Sequence, residues 1–483
     1  MSRINSNVPS LTAQRHLSIS QESLKLSLER LSSGLKINRG ADNPAGLIVS
    51  ERLRSEIAVV KQAVNNSQRA INVIATTEGA LDEVQSLLTD IQALVVEAAN
   101  SGAFSDDEIA ANQLQIDNAI ESITRIANTT TFAGRKLLNG ELDYVTSGVT
   151  TTELANVNIL GAKFGTQTSV GVTVKMGQSA QKAELAYAQS AITGGAVTLD
   201  IRGNDGVVSL TFPASASTVD MVTQINAQVD ATGVTASLSG TSGVQGMRLQ
   251  SLEYGGDAFV SVKKLSTTGT FDVTDRTGVT NERTTGRDAI ATVNGISATA
   301  DGLNLSFSST LLKLEMTLAE TFGNGSTTTD TSSFAITDGG ALFQLGPQVS
   351  TNLQENIGVK SMQANKLGDN LLGFLSDLKS GQNKALNTEN FQQASKVVQE
   401  VITQVAVLRG RLGAFERNTL QPNIRQLQIT TENLTSAEAT IRDTDFATET
   451  SELTRSQILV QAGNSILAIA NAQSQNVLTL LGG

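Results

Sequence analysis

Apolar residues recur at heptad-like spacing at both ends of the chain, whereas the middle consists of short β-prone runs rich in Thr, Ser and Gly. Near the N-terminus, Leu17, Leu24, Leu28, Leu31 and Leu35 are separated by 7, 4, 3 and 4 positions. Leucines at this spacing lie on one side of a helix, so the segment is predicted to be a helix with one apolar face. A single slender helix leaves that face open to water, and another helix must cover it.

The C-terminal segment carries a second predicted apolar seam, formed by Leu459, Ile466, Val477 and Leu480. Residues 1–40 contain six basic and two acidic side chains, and residues 441–483 contain two basic and four acidic ones. These opposite net charges favour pairing of the two ends. Heptad spacing does not identify the partner, so both an intramolecular bundle and assembly between copies remain open.

Long helices are predicted next to the terminal ones. Asn43 followed by Pro44 is typical of a helix start, because Asn caps the first turn and Pro fits its first position. The apolar pattern then continues from Leu53 to Val95, and about 56 residues at 1.5 Å each give a rod of roughly 80 Å. Asp42, Asn43 and Pro44 are predicted to form the turn that precedes this rod.

Two further helical regions follow the same logic. Ser105 and Glu108 have the spacing of a capping box, which predicts a helix start. A later seam runs from Val398 to Phe415. Pro422 lies where that seam would continue, and a proline inside a helix is predicted to kink or loosen it.

The region between the helices is predicted to be rich in strands. Residues 140–180 are predicted to form a loop and a β-hairpin, and residues 196–263 and 289–319 to form strands with one short helix. The predicted fold class is therefore mostly α. A long coiled-coil helical core built from both chain ends would carry a central α+β, β-rich outer insertion domain.

Composition narrows the classes of function. The 46 acidic and 35 basic residues give a net charge of −11, which disfavours sequence-independent binding to nucleic acid. The chain has no Cys and one His, and it shows neither metal-ligand spacing nor a convergent catalytic set, so we predict no enzyme, no metal and no cofactor. The chain has no apolar run of about 18 residues, so no bilayer span is predicted. The first residues lack the apolar stretch of a cleaved signal peptide.

Motifs at both ends of the chain resemble those of bacterial flagellin. In the N-terminal part they are residues 30–38 (RLSSGLKIN), 41–46 (ADNPAG) and 126–132 (IANTTTF). In the C-terminal part they are residues 441–447 (IRDTDFA), 457–462 (QILVQA) and 474–481 (SQNVLTLL). In the middle, residues 291–296 and 301–305 look like the hook-type insertion motif of some flagellins.

The resemblance implies three layers. Residues 1–42 and 450–483 would form an inner coiled coil, residues 43–180 and 335–449 a helical rod with a β-hairpin, and residues 181–334 an outer surface-exposed domain. The turn at Asp42, Asn43 and Pro44 would join the inner layer to the rod. The implied partners are other copies of the chain, a flagellar export chaperone, the filament cap and the hook-junction proteins. Export would proceed through the flagellar type III machinery without a cleaved signal.

The resemblance also allows a comparison at the patch through which some flagellins activate Toll-like receptor 5. Alignment through residues 99–101 places Asp90 where those flagellins have a key Arg, Leu94 at a matching Leu, and Gln115 at a contributing Glu. Two of these three positions depart from the stimulatory pattern, one by charge reversal. We expect weak or no receptor activation.

Two other functions are compatible with parts of this pattern. A hook–filament junction protein has similar ends, although the complete terminal motifs favour the filament subunit. A coiled-coil surface adhesin would use the β-rich middle as a ligand-binding head, and it would need a signal peptide or an anchor.

Overall fold

The computed structural model describes residues 7–481 except 101, 166, 240–245, 324–330, 371 and 389, and it leaves the side chains of residues 388 and 474–481 aside. The α-helices are α1 (Val8–Ser33), α2 (Pro44–Ala98), α3 (Asp106–Thr129), α4 (Thr218–Asn226), α5 (Val229–Thr232), α6 (Phe391–Phe415), α7 (Gln421–Arg442) and α8 (Phe446–Leu481). Short 3-10 turns cover Thr351–Leu353, Leu375–Leu378 and Leu386–Thr388.

The strands up to the middle of the chain are β1 (Thr131–Phe132), β2 (Arg135–Lys136), β3 (Tyr144–Ser147), β4 (Leu154–Ala162), β5 (Val170–Gln178), β6 (Lys182–Tyr187), β7 (Val197–Arg202), β8 (Val207–Phe212), β9 (Val234–Ser239), β10 (Gly246–Tyr254), β11 (Phe259–Lys264) and β12 (Val273–Asp275). The later strands are β13 (Arg283–Thr285), β14 (Ile290–Val293), β15 (Ile296–Ser297), β16 (Thr299–Asp301), β17 (Asn304–Ser308), β18 (Leu312–Leu318), β19 (Thr331–Gly339), β20 (Ala341–Gln344), β21 (Gln354–Ile357), β22 (Gly368–Asp369) and β23 (Gly373–Phe374).

The chain divides into two compact units. The first comprises residues 1–70, 344–349 and 416–483. In this unit α7 packs antiparallel to the first part of α2. Two contacts show this orientation: Asn423 donates to Ser67 Oγ over 3.1 Å, and Arg442 pairs with Glu51 over 2.8 Å. Val60, Ala63 and Leu427 form a small buried cluster of this unit.

The second unit comprises residues 71–343 and 350–415. Its helical part contains the rest of α2 together with α3 and α6. Arg409 on α6 forms an ion pair of 2.9 Å with Asp82 on α2, and Gln92 on α2 donates to Ser395 on α6. The apolar seams of all three helices are buried, including the predicted seam from Val398 to Leu412.

The helix ends follow the sequence signals closely. The 55-residue α2 begins at Pro44, and the amide of Gly46 donates to Asn43 Oδ1 over 2.8 Å. The capping box of Ser105 and Glu108 is formed at the start of α3. These two predicted starts are therefore confirmed.

Proline also acts as predicted at the junction of α6 and α7. Residues Glu416–Leu420 form a π-helical turn, and Pro422 is the second residue of α7. Proline has no N–H, so it leaves the carbonyl four residues earlier without its α-helical partner. A π turn is one way in which a helix accommodates such a defect.

The β-rich middle contains two hydrophobic cores. The first is shared by a five-stranded sheet, β15-β14-β5-β19-β3, and a four-stranded sheet, β16-β17-β18-β4. The second is shared by the sheets β12-β6-β10-β9 and β13-β11-β7-β8 together with α4. Burial alternates along Leu312–Leu318. Successive side chains of a strand face opposite sides of the sheet, and the apolar side chains of this strand face the core.

One prediction for the middle is wrong. The segment 140–180 does not fold into a hairpin of its own, because β4 and β5 lie in different sheets. β4 pairs with β18, and β5 pairs with β14 and β19. Leu154, Ile159 and Ala162 of β4 and the alternating Val172, Val174 and Met176 of β5 are thereby buried in the same core.

The chain enters and leaves each core on neighbouring backbone segments. Tyr144 in β3 is paired with Gly339 in β19 at the first core. Gln181 and Arg287 form an antiparallel bridge, and the whole second core lies between them in sequence. The second core is thus an insertion within the first.

Candidate assembly surface

The terminal helices α1 and α8 pair with each other in antiparallel orientation. On α8 the residues that are not exposed, up to residue 473, step by 4 and 3 positions: Glu449, Leu453, Ser456, Val460, Gly463, Leu467 and Ala470. On α1 the stripe turned toward them contains Ser10, Ala13, Leu17, Ser20, Leu24, Ser27 and Leu31. Both stripes mix leucines with small residues, which allow the two backbones to approach closely.

Polar contacts fix the register of this helix pair. Asn7 donates to the carbonyl of Ala470 over 3.0 Å, and Ser10 Oγ donates to Asn471 Oδ1 over 2.8 Å. At the other end, Arg30 and Glu449 form an ion pair of 3.5 Å. The opposite charges of the two chain ends thus form one ion pair between these helices among the residues that the structure describes.

The predicted seam residues fall on different sides of the pair. Leu17, Leu24 and Leu31 belong to the inner stripe, whereas Leu28 is 51% exposed. Leu35 lies beyond the end of α1, after Gly34 has turned the chain with φ of 74°. Only Leu17, Leu24 and Leu31 of the predicted N-terminal seam therefore face α8.

Two of the predicted C-terminal seam residues, Leu459 and Ile466, point away from α1. Leu459 and Ile466 are 47% and 57% exposed. The side chains of Val477 and Leu480 lie outside the described part of the structure. The small residues that complete the inner stripe have a sequence signal of their own, a seven-residue repeat at Ala13, Ser20 and Ser27 and another at Ser456, Gly463 and Ala470.

The outward side of the helix pair carries its own apolar stripe. On α8, Leu459, Ala462, Ile466 and Ile469 step by 3, 4 and 3 positions, and all four are exposed. Leu11, Ile19 and Leu28 on α1 are exposed as well. A surface this rich in apolar side chains marks an interaction site in a soluble protein.

The segment between α1 and α2 forms a tightly hydrogen-bonded turn. Asp42 accepts hydrogen bonds from the amides of Asn38 and Arg39 over 3.0 and 2.8 Å, and these bonds hold the pKa of Asp42 below its usual value. Asn43 and Pro44 then start α2. The amide of Lys36 donates to the carbonyl of Arg442, which fastens the beginning of the turn to the end of α7. Asp42, Asn43 and Pro44 thus lie at the junction of this turn with α2.

The three receptor-patch positions lie on two helices of the second unit. Asp90 and Leu94 are one turn apart on α2, with Asp90 exposed and Leu94 half-buried. Gln115 on α3 is exposed and donates a hydrogen bond of 3.4 Å to Asn112.

Among the helices of the described residues, none combines the length and the hydrophobicity that a membrane span requires.

The sequence matches three flagellin regions. Residues 4–143 match the bacterial flagellin N-terminal helical region, and residues 395–481 match the C-terminal helical region. Residues 198–251 match the flagellin hook IN motif. The hook motif is therefore found in the second β core, and the predicted placement at residues 291–296 and 301–305 is wrong.

Flagellins from distant bacteria resemble the chain over its full length. Flagellin of Salmonella typhimurium is 32% identical over 99% of both chains. B-type flagellin of Pseudomonas aeruginosa is 28% identical over 99% of both chains, and flagellin of Clostridium tyrobutyricum is 27% identical over 98% of this chain and 100% of its own. The solved structure of FlgL from Xanthomonas campestris is 13% identical, covers 79% of this chain and 98% of its own, and has a TM-score of 0.29.

Full-length similarity to flagellins does not favour a junction protein or an adhesin, and it places the chain in a family of structural proteins. Both matched terminal regions coincide with the helices described above. The chain therefore belongs to the bacterial flagellin family and is a structural subunit of the extracellular flagellar filament that drives bacterial motility.

Proposed function

We propose that the chain polymerises through the outward apolar stripe of the α1–α8 pair. The observation that carries this proposal is the exposure of Leu28, Leu459 and Ile466, at 51%, 47% and 57%. Burying one such side chain completely contributes about 1.5–3 kcal/mol. Neighbouring copies that cover this stripe would complete a coiled-coil core, to which Val477 and Leu480 would add at the C-terminal end.

In this arrangement the two sides of the helix pair do different work. Leu17, Leu24 and Leu31 hold α1 against α8 within one subunit. Leu28, Leu459 and Ile466 bind the next subunit. Heptad spacing leaves open an intramolecular bundle and an intermolecular seam. In this arrangement both occur, because the inner side of the helix pair forms the bundle and the outward side forms the seam.

A double substitution tests the outward stripe. Leu459→Ser with Ile466→Ser should raise the critical concentration for seeded polymerisation at least about tenfold, since two apolar contacts are lost per subunit. Val207→Ser is the matched control, because Val207 is 57% exposed on β8, outside the terminal helices. Filaments of the double variant with wild-type critical concentration and thermal stability would refute the proposal.

The layers expected from the sequence complete the proposed subunit. Residues 1–42 and 450–483 would form the inner layer, residues 43–180 and 335–449 the rod, and residues 181–334 the outer layer. The second β core supports the outer assignment, because its members, from Ala183 to Val273, all fall within it. The strands β4 and β5 fall in the rod by this division, although their partners β14 and β18 fall in the outer layer.

Membership of the flagellin family supports a proposal about export and partners. We propose that the subunit leaves the cell through the flagellar type III machinery, accompanied by an export chaperone, and is added beneath a cap onto hook-junction proteins. The N-terminal residues should then persist in the filament. Mass spectrometry of intact filament subunits that found a shortened N-terminus beyond Met1 removal would contradict export without a cleaved signal.

We also propose that the monomer activates Toll-like receptor 5 weakly or not at all. Asp90 puts an exposed carboxylate where the resemblance implies a key Arg, and Gln115 lacks the charge of the corresponding Glu. In a reporter-cell assay, the double variant Asp90→Arg with Gln115→Glu should respond more strongly than wild type. A wild-type response equal to that of a stimulatory flagellin would overturn this proposal.

A further inference from the structure

A cleft of about 400 Å³ opens in the second unit between α6 and the sheet β16-β17-β18-β4. The strand registers place eight polar residues that line it in two rows across the four strands. One row consists of Asp301, Asn304, Thr317 and Asn156, and the other of Thr299, Ser306, Glu315 and Asn158. These rows form a polar grid, with side chains about 4.8 Å apart across the strands and about 6.6 Å apart along them.

The grid has hydrogen-bonding capacity that the subunit itself leaves unused. Thr317 donates to Asn304 Oδ1 over 3.0 Å. Among the residues that the structure describes, none forms a hydrogen bond with the side-chain amide of Asn156 or Asn158. Each of these amides offers one acceptor oxygen and two N–H donors. The polar grid can therefore both donate to a ligand and accept from it.

The opposite wall of the cleft combines polar groups with an apolar surface. Four residues on one side of α6 line it: Thr403, Gln404, Val407 and Arg411. Val407 is 55% exposed. Arg411 donates to the carbonyl of Gly358, and its buried Nε has no hydrogen-bond partner within the described chain. A ligand that fits both walls has polar edges and an apolar face.

The charged groups of the cleft compensate one another. Three carboxylates and two cations line it: Asp301, Glu315, Glu400, Lys360 and Arg411. Glu400 attracts Lys360, and Glu315 attracts Arg411. A charged ligand would disturb this balance, whereas a neutral polar ligand leaves it intact. The charges therefore favour a neutral ligand.

We propose that this cleft binds a neutral saccharide of one or two rings, either free or as the end of a longer glycan. Its hydroxyls both donate and accept, as the amides of Asn156 and Asn158 require, and its ring C–H groups pack against Val407. The volume of the cleft lies within the range of about 300–1,000 Å³ that is usual for small-molecule sites. The dissociation constant should be on the order of 1 mM, because hydrogen bonds to the ligand replace hydrogen bonds to water. Saccharide binding is a second function of the subunit, independent of polymerisation.

Methyl NMR of monomeric full-length subunits labelled at valine and methionine tests this site. Maltose, cellobiose and lactose are the probes for a free sugar, and maltoheptaose is the probe for a glycan end. Saturable shifts are expected at Val407 and Met362, which line the cleft. The signals of Val260 and Met247, buried in the second β core, should stay in place. Absence of shifts at Val407 and Met362 with all four probes at about 50 mM, where a millimolar site is filled, would overturn the proposal.

A pair of double variants provides an independent measurement. Asn156→Ala with Asn158→Ala should weaken binding at least about tenfold, since two hydrogen-bonding side chains are lost. Ser308→Ala with Lys313→Ala is the matched control, because these two exposed residues form the next row on the same side of the sheet and do not line the cleft. A change of about twofold or less is expected there. Circular dichroism and thermal unfolding of both variants check the fold.

Charged sugars test the chemical class of the ligand. Glucose, glucuronate and glucosamine share one ring, and the two charged sugars should bind at least about tenfold more weakly than glucose, because each disturbs the balance of charges in the cleft. Glucuronate or glucosamine that binds as tightly as glucose would refute the assignment to neutral saccharides. Folded Asn156→Ala, Asn158→Ala subunits that bind the probes like wild type would refute the role of the polar grid.

Discussion

Gly463 determines how closely the terminal helices approach each other. It lies on the inner stripe of α8, and a Cβ built there would be 3.2 Å from Leu17 Cδ1, 3.6 Å from its Cβ and 3.7 Å from its Cα. A leucine side chain extends three carbons beyond its Cβ, directly into Leu17. We predict that Gly463→Leu separates α1 from α8 and prevents normal filament assembly.

The magnitude follows from two opposing terms. Replacing a helical glycine by alanine gains about 1 kcal/mol of helix propensity, and the added Cβ requires the flexible end of Leu17 to shift by a few tenths of an ångström. Gly463→Ala should therefore lie within about 1 kcal/mol of wild type. Gly463→Leu overpacks the stripe at a cost of about 1–3 kcal/mol, which corresponds to roughly 5- to 150-fold in the pairing equilibrium.

Two measurements check this prediction. The critical concentration of Gly463→Leu should rise by a factor in that range, and amide hydrogen exchange in α1 and α8 of any filaments formed should be faster than in wild type. Gly79→Leu is the matched control, because Gly79 is an exposed position of α2 with no atom near its added Cβ. Wild-type assembly and exchange in Gly463→Leu would refute the close-approach reasoning.

Three further predictions concern other parts of the subunit. Ser105→Ala removes the cap of α3 and should lower the free energy of unfolding by about 1 kcal/mol in chemical denaturation. Phe212→Ala leaves a cavity in the second β core, where Phe212 is fully buried, and should lower the free energy of unfolding by about 3–5 kcal/mol. Calorimetry should show an unfolding transition at lower temperature, and filament formation should be preserved. Asp42→Asn should loosen the turn before α2 at neutral pH, measured as faster proteolysis there. Because the pKa of Asp42 is lowered in the folded chain, its contribution is present above the unfolded value of 3.8 and is lost as the pH falls through the folded value, so wild type and variant should converge in acid.

A specific experimental result would contradict each of these three predictions. Unchanged stability of Ser105→Ala would mean that the capping box contributes nothing measurable. A single shifted transition for the whole chain in Phe212→Ala would mean that the second core does not unfold on its own. A difference between Asp42→Asn and wild type that persists in strong acid would assign the effect to something other than the carboxylate.

Local signals in the sequence were sufficient to predict where the helices α2 and α3 begin. The start of α2 needed only Asn43 and Pro44, and the start of α3 only Ser105 and Glu108, because caps act within one turn. The seam that ends at Phe415 and the defect before Pro422 are also local. Interactions over a few residues can be inferred without knowledge of the rest of the fold.

Contacts between distant segments were harder to infer. The partners of β5 begin at Ile290 and Thr331, and nothing in the residues of β5 identifies them. On α1 the hydrophobic pattern selected Leu28, whereas the structure buries Ser27 and exposes Leu28. Closely packed helices use small residues as well as leucines at their contact, so a search for large apolar side chains finds Leu17, Leu24 and Leu31 but not the small residues between them.

The paired crossing points of the β-rich middle have a consequence for how flagellins of this kind can diversify. Tyr144 lies beside Gly339, and Gln181 beside Arg287, so each insertion begins and ends at one place on its host. Lengthening or replacing what lies between changes the separation of those ends very little, and a longer closed loop costs only about 0.6 kcal/mol per doubling. Residues 182–286 thus behave as a nested cassette: a foreign domain with adjacent termini could be grafted there while the first core keeps its strands in register.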